Sequence, residues 1–583
     1  MENSIDNIYQ DLREGFVVVG LTGAIGSGCS TIAKLLSEEL TESDIERFES
    51  HLNEETFDSL EPYRARKIKT FIKERKWKPF YQVKVSNLLF AILFAHREAY
   101  ESEKLHVSTW FSETEDSKYL DVERLCQTIL DLITHDDVRR HDNTKRLTEH
   151  LERLDYVIQN QVKKSNQNYT RDFQEIGSSL REHGEVINKI PFQYTSMKSV
   201  AHVFLISQLI NKMIKKLKAE GTDFFVIDAL RNVHEINFFK ARYSNFYLFA
   251  IQAEKEVRKM RVMDGFSFNE ADYNEIVARE TEKKGLHNQD INRCLSGGDI
   301  FITNNERGCD ALKYNLLKYV SLIRKPGLFT PSKDERNMQI ALTARYNSGC
   351  ISRQVGACVV GKEGYVLGIG WNDVPEGSIP CLYRSAKTLL SDHKKAPEFS
   401  DYEISPIFTE YVASKIRLRE EPFCFKDLEN SRNAEEKFKA IEQDPKLSGL
   451  NCKLDQERYD DLIKYLEQQF TKNFKNPTRE RALHAEENAF LQSSKVGGGS
   501  LKGGTLYTTD SPCQLCAKKA MQLGIERIIY IDAYPDISNA QTLCSGPTEN
   551  RPIVHAFEGV AESAFMKLFK PLVIIKDEID LKS

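Results

Sequence analysis

The segment FVVVGLTGAIGSGCSTIAKLL, residues 16–36, leaves its part of the chain few choices of fold. An apolar run from Phe16 to Val19 ends in Gly20, and a helical pattern begins near Thr31. Between them lies Gly23-Ala24-Ile25-Gly26-Ser27-Gly28-Cys29-Ser30. Strand, glycine loop and helix in that order suit a unit of a parallel α/β sheet. Later segments repeat the alternation. DFFVIDALRNVHEINFFK (223–240) reads as a buried strand ending in Asp228, then a turn and a helix, and NFYLFAI (245–251) and DIFITNN (299–305) read as two more parallel strands. The expected architecture is a doubly wound sheet.

The loop has the spacing of a phosphate cradle, with two glycines five apart before a helix that opens on Ser30 and Thr31. Glycines let backbone N–H groups curl around phosphate, and the helix N-terminus adds positive potential. Ser30 can reach Mg²⁺, a carboxylate such as Asp228 at the end of a strand suits Mg²⁺ or its water shell, and Arg231 can face phosphate. The candidate nucleotide-binding residues are therefore Gly23, Gly26, Ser27, Gly28, Cys29, Ser30, Thr31, Asp228 and Arg231. Cys29 stands where such loops carry lysine. That removes the cation that bridges the terminal phosphates, so the expectation is binding without efficient phosphoryl transfer.

These motifs, with YTRDFQEIGSSLREHG (169–184), resemble the nucleoside-monophosphate and dephospho-coenzyme-A kinase branch of the P-loop proteins. The resemblance covers roughly 15–40 and 169–320 and implies a P-loop NTPase domain over 1–325. Residues 41–168 between the matched parts are charged and helix-like and read as a helical insertion. Its basic run near 64–78 reads as a solvated face. Pro326, Gly327 and Pro331 interrupt the regular patterns and mark an expected linker at 326–333.

A chain of 583 residues is too long for one core, so a second domain over 334–583 is expected. No run of 18 apolar residues occurs, and the acidic start lacks a signal-peptide core, so a soluble cytoplasmic protein is expected. Its twelve cysteines then read as thiols or metal ligands. A formal net charge of −5 argues against a protein that coats long nucleic acid.

The chemistry of the second domain is carried by His484-Ala485-Glu486 and, after a strand GGTLYTTD, by Pro512-Cys513-Gln514-Leu515-Cys516. Neither half is specific alone. A Cys-x-x-Cys serves redox chemistry or half of a structural zinc site equally well. Together, in this order, they form the zinc deaminase signature. His484, Cys513 and Cys516 are the expected zinc ligands, leaving a fourth tetrahedral position for water. Two cysteines three apart at a helix start share one face, Pro512 fits the first helical turn, and the helix N-terminus favours thiolate. Glu486 stays off the metal and is the expected general base and acid.

QVGACVVGKEGYVLGIGWND (354–373) reads as a β-hairpin, and RIIYIDAYPD (527–536) as a strand and loop. Both resemble the deoxycytidylate deaminase family over about 335–575. The resemblance implies a three-layer α/β/α domain, a role for Asn372 at the sugar and phosphate end of the nucleotide, Tyr534 near the pyrimidine, and Ala485 beside the substrate. Turn capping by Asn372 and plain packing by Tyr534 are the competing readings. The segment 384–478 is an insertion in that pattern. Cys350 and Cys381 are similar to positions that hold a second, structural zinc in some phage-type members. His393, Cys424 and Cys452 are further candidate ligands, and simple buried thiols are the preferred reading.

The fusion of the two resembles bacterial anti-phage deoxycytidine nucleotide deaminases. That implies conversion of free dCTP and dCMP to dUTP and dUMP, with the glycine-loop domain sensing a regulatory nucleotide. It also implies a homo-oligomer, a hexamer among the forms. Housekeeping deamination in pyrimidine salvage and editing of nucleic acid are the alternatives, and the acidic balance disfavours the second.

Overall fold

The computed structural model describes residues 9, 11, 13–40, 44, 59–95, 116–134, 145–163, 169–184, 200–266, 269–280, 285–305, 310–391, 397–417, 420–444, 456–474, 476, 479–495, 497, 499–533 and 538–582. The chain divides into two compact units, Met1–Glu335 with Glu558–Ser583, and Arg336–Phe557. Among the described residues no helix is long and apolar enough to cross a membrane.

The first unit is built on strands β1 (Val17–Thr22), β2 (Tyr81–Lys84), β3 (Phe224–Asp228), β4 (Phe246–Gln252) and β5 (Ile300–Thr303). They lie in the order β5-β4-β1-β3-β2, all parallel. Alternate residues feed different cores. Val18, Phe225 and Leu248 pack on one face, and Val17, Val19, Val226 and Phe249 on the other. With helices covering both faces every β1 residue is buried, which is why its sequence shows an apolar run instead of alternation. Chain order reverses around β1, which has β3 on one side and β4 on the other. A crevice at the carboxyl end of such a strand is the usual ligand position in open α/β sheets.

Two expectations for this unit are corrected. Residues 41–168 are not wholly an insertion, because β2 pairs with β3 at the sheet edge, Tyr81 opposite Phe225. Four residues between two helices give too short an alternation to be recognised as a strand. The chain also returns to the first unit at its end, instead of staying in one domain from 334 to 583. The strand Gly559–Val560 pairs antiparallel with β5, and the helix Glu562–Phe569 buries Ala564 and Leu568 in the same core as β1. The expected linker is packed within that unit, with Gly327 N–H donating to Leu568 O at 2.8 Å. This pairing joins residues hundreds of positions apart, and no local signal announces it.

The second unit holds a five-stranded sheet of β6 (Gly356–Val360), β7 (Val366–Trp371), β8 (Thr505–Asp510), β9 (Arg527–Asp532) and β10 (Ile553–Ala556), ordered β10-β9-β8-β6-β7. The expected hairpin forms from β6 and β7. β8, β9 and β10 run parallel, and β6 joins β8 antiparallel. The segment 384–478 contributes the helices Ala386–Ser391, Pro406–Lys415, Phe425–Glu442 and Gln456–Asn473. Ala386, Leu389, Phe408, Val412 and Phe423 give it a small core of its own.

Candidate active site and glycine loop

The Gly-Ile-Gly of β7 sets how closely a helix can approach the sheet. A Cβ on Gly370 would lie 2.1 Å from Ala485 O, and one on Gly368 would lie 2.1 Å from Ala489 O. Helix α1 (Ala485–Lys495) therefore rests directly on the sheet backbone, and Asn488 Nδ2 donates to Trp371 O at 2.7 Å. This seating delivers His484, whose carbonyl accepts the Asn488 N–H at 2.9 Å, to the start of α1. Glu486 follows in the first turn, 4% exposed.

From the other side, β8 leads through Ser511 and Pro512 to helix α2 (Gln514–Gln522), with Cys513 as its N-cap and Cys516 in its first turn. Pro512 precedes the N-cap and does not occupy the first turn as expected. The sulfurs of Cys513 and Cys516 lie 3.3 and 3.4 Å from His484 Nδ1. The three donor atoms all lie within 4.8 Å of one another, the one group of three such ligands found among the described residues. Two sulfurs and an imidazole form a soft donor set that fits zinc and leaves a fourth position open.

The three donors perturb one another strongly. A hydrogen bond from Cys516 pulls the Cys513 thiol down to about 4, helped by His484. Cys516 is pushed up by the same bond and by burial. Hydrogen bonds to Cys513 and Glu480 raise His484 to about 10. Burial raises the Glu486 carboxyl to about 7, poised to exchange protons near neutrality.

Four neighbours, Glu480, Arg353, Asp510 and Asp532, are not evident from the sequence. Glu480 Oε2 lies 3.3 Å from His484 Nε2. Arg353 pairs with Asp510 at 2.7 Å and with Asp532, residues that face each other at the carboxyl ends of β8 and β9. Burial raises Asp510 to about 7. Asn372 is 8% exposed, and its amide is engaged with backbone: Oδ1 accepts Val355 N–H and Nδ2 donates to Arg353 O, both at 2.7 Å. Ala485 is fully buried, and Tyr534 lies outside the described residues. Cys350, Cys381 and Cys424 join no cluster of three ligands among the described residues, and His393 and Cys452 lie outside them.

In the first unit, Gly23, Gly26, Ser27 and Gly28 form the turn from β1 to helix α3 (Cys29–Ser37). Gly28 adopts φ 99°, and a Cβ there would lie 2.3 Å from Asn304 Nδ2, which donates to Ser27 O at 2.8 Å. Ser30 and Gln82 both hydrogen-bond Asp228, and burial raises that carboxyl. Thr31 is exposed. Cys29 is buried with Sγ 3.6 Å from Ser27 Oγ, and burial pushes its thiol up to about 12. Arg231 pairs with Glu280, at the end of the helix Glu270–Glu280. The fold thus gathers the loop, Ser30, Asp228 and Arg231 around one point, and adds Glu280.

Residues 455–532 match the cytidine and deoxycytidylate deaminase zinc-binding region. The chain is similar to the deoxycytidylate deaminase of Enterobacteria phage T2, 25% identical over 207 residues, which are 34% of this chain and 78% of that one. It is 26% identical to the deoxycytidylate deaminase of phage T4 over 199 residues, 34% and 76% of the two chains. A shorter stretch of 63 residues is 41% identical to ComE operon protein 2 of Bacillus subtilis, 11% and 33% of the two. Among solved structures, the dCMP deaminase of cyanophage S-TIM5 in complex with dCMP and dUMP aligns at 19% identity over 39% of this chain and 99% of that one. Its TM-score of 0.21 is too low to bear on the fold. The zinc-binding region and its relatives make the protein an enzyme of the deaminase type.

Proposed function

We propose that the second unit hydrolyses the amino group of free deoxycytidine nucleotides, dCMP and dCTP, yielding dUMP and dUTP. The convergence of His484 Nδ1, Cys513 and Cys516 beside a buried glutamate carries this reading. Zinc, when bound, supplies Lewis-acid activation of water. Glu486 accepts one proton from the water and delivers it to the pyrimidine ring nitrogen, then carries the second, from the new C4 hydroxyl, to the departing amine. Water oxygen ends on C4, the C4–N bond breaks, and ammonia leaves. A carboxyl that titrates near 7 can both take and give that proton. Asn372, Ala485 and Tyr534 border the substrate in this reading, and Asn372 acts by holding the backbone around Arg353.

The first unit is proposed as a nucleotide-sensing P-loop module. Gly23, Gly26, Ser27, Gly28 and Thr31 line the phosphates, while Ser30 and Asp228 face Mg²⁺. The buried neutral thiol of Cys29 supplies no cation at the terminal phosphates, which supports binding without transfer. Nucleotide there biases the active and inactive states of the deaminase through its different affinity for each. The proposed biological effect is depletion of cytoplasmic deoxycytidine nucleotides during phage infection, by a homo-oligomer.

Incubation of the full chain with dCTP, dCMP and cytidine tests the chemistry by following uracil products. Wild type releases dUTP or dUMP, and Glu486→Ala lowers the rate by about 10²–10⁴-fold. Equal behaviour of the two proteins ends the proposal. A plaque assay with wild type and Glu486→Ala tests the role in defence, and unchanged plaque counts would leave nucleotide salvage as the function.

A further inference from the structure

The inserted segment 384–478 and the candidate zinc ligand His484 meet at one carboxylate. The imidazole turns Nδ1 toward the sulfurs of Cys513 and Cys516, at 3.3 and 3.4 Å. A nitrogen that ligates a metal presents its lone pair, so the ring proton of the ligating tautomer sits on Nε2. Nε2 faces Glu480 Oε2 at 3.3 Å. The other oxygen of the same carboxylate, Oε1, accepts Lys426 Nζ at 3.1 Å. Lys426 stands in the first turn of the helix Phe425–Glu442, within the insertion.

We infer that Lys426 and Glu480 form a relay that positions His484, so that the inserted segment takes part in building the metal centre. This rests on the reading of His484, Cys513 and Cys516 as a zinc site. Glu480 determines which ring nitrogen is free for the metal and stops the ring from turning about its Cβ–Cγ bond. Lys426 holds Glu480 in the position that reaches Nε2. The side chains of Lys426 and Glu480 are 28% and 26% exposed, shielded enough for the pair to act through more than a screened surface contact. A carboxylate on the far nitrogen of a ligating histidine commonly governs metal affinity. Here that carboxylate is itself held by an element outside the two helices that carry the ligands.

The test is zinc affinity, read by competition with a chromophoric chelator on the purified full chain, with the cobalt(II) absorption spectrum as a second readout. Glu480→Ala is expected to weaken zinc about 10–100-fold and to shift the cobalt bands, with the metal-free protein keeping its melting temperature. Lys426→Met is expected to weaken zinc by less. In the Glu480→Ala background Lys426→Met should add nothing, since its effect passes through Glu480. If Glu480→Ala does not fold, Glu480→Gln takes its place. Zinc affinity within about twofold of wild type in the Glu480 variants, or a Lys426→Met effect that persists undiminished without Glu480, overturns the relay while the zinc site stands. A wild-type chain that binds no zinc overturns both.

Discussion

The carboxylate of Glu280 accepts the backbone N–H of Ile25 through both oxygens, at 3.1 and 3.0 Å. Ile25 lies inside the glycine loop, and the same carboxylate is paired with Arg231. An internal anion thus occupies the Ile25 N–H, a donor of the glycine loop, and it is 1% exposed. In the proposed reading, a nucleotide phosphate at this loop competes with it.

Glu280→Gln, which keeps the shape and removes the charge, is therefore expected to bind Mg²⁺-nucleotide about tenfold more tightly than wild type, equivalent to about 1.4 kcal/mol. Isothermal titration of both proteins with Mg²⁺-ATP measures the ratio. Equal or weaker binding by the variant would show that Glu280 does not compete with phosphate.

Gly370→Ala puts a methyl group 2.1 Å from Ala485 O, against backbone that cannot swing away. The expected cost is about 1–3 kcal/mol of stability in the second unit, from overpacking. Because Ala485 lies between His484 and Glu486, weaker zinc retention should accompany it. Urea unfolding followed by metal analysis checks both effects, and a variant with wild-type stability would mean the helix can lift off the sheet without strain.

Removal of zinc should lower the melting temperature of the second unit. A ligand present at a hundredfold excess over its dissociation constant stabilises the state that binds it by about 2.7 kcal/mol. Cys516→Ser should melt at the same temperature with or without added zinc, whereas the wild type should separate into two curves. Scanning calorimetry with and without a chelator makes the comparison. Identical wild-type curves would argue that the three donors hold no metal.

Glu558 links the first unit to pH. Burial pushes its carboxyl up to about 7 from an ordinary value of 4.5, with Lys318 opposing. The folded chain therefore keeps a proton, between about pH 4.5 and 7, that the unfolded chain gives up. Stability from this group is fully present below that window, falls as pH rises through it, and levels off above. Glu558→Gln should flatten the decline. Denaturant midpoints at about pH 5 and about pH 8 measure it, and a variant that declines as steeply as wild type would assign the effect to other groups.

Much of the architecture is local enough to be read along the chain. The first strand, which runs on past Gly20 to Thr22, the hairpin within 354–373, and the strand ending at Asp228 form where apolar runs and turn residues put them. The three donors singled out from the sequence, His484, Cys513 and Cys516, are also the ones the fold brings within 4.8 Å of one another, and paired cysteines at helical spacing with a histidine beside a glutamate made them legible. What escaped is what only long-range pairing supplies: β2 at the sheet edge, and the strand Gly559–Val560 returning to β5. Glu280 also escaped, since nothing near residue 280 indicates that its carboxylate meets Ile25.

The amino-acid order alone determined which atoms could hold a metal and move a proton, because those roles depend on side-chain chemistry and short spacing. The tertiary structure alone decided the settings of those atoms. It buried Glu486 until its carboxyl titrates near 7, turned His484 Nδ1 to the sulfurs and Nε2 to Glu480, and set a carboxylate against the glycine loop. Such settings arise from desolvation and from contacts between distant segments, and both come into being only when the chain closes on itself.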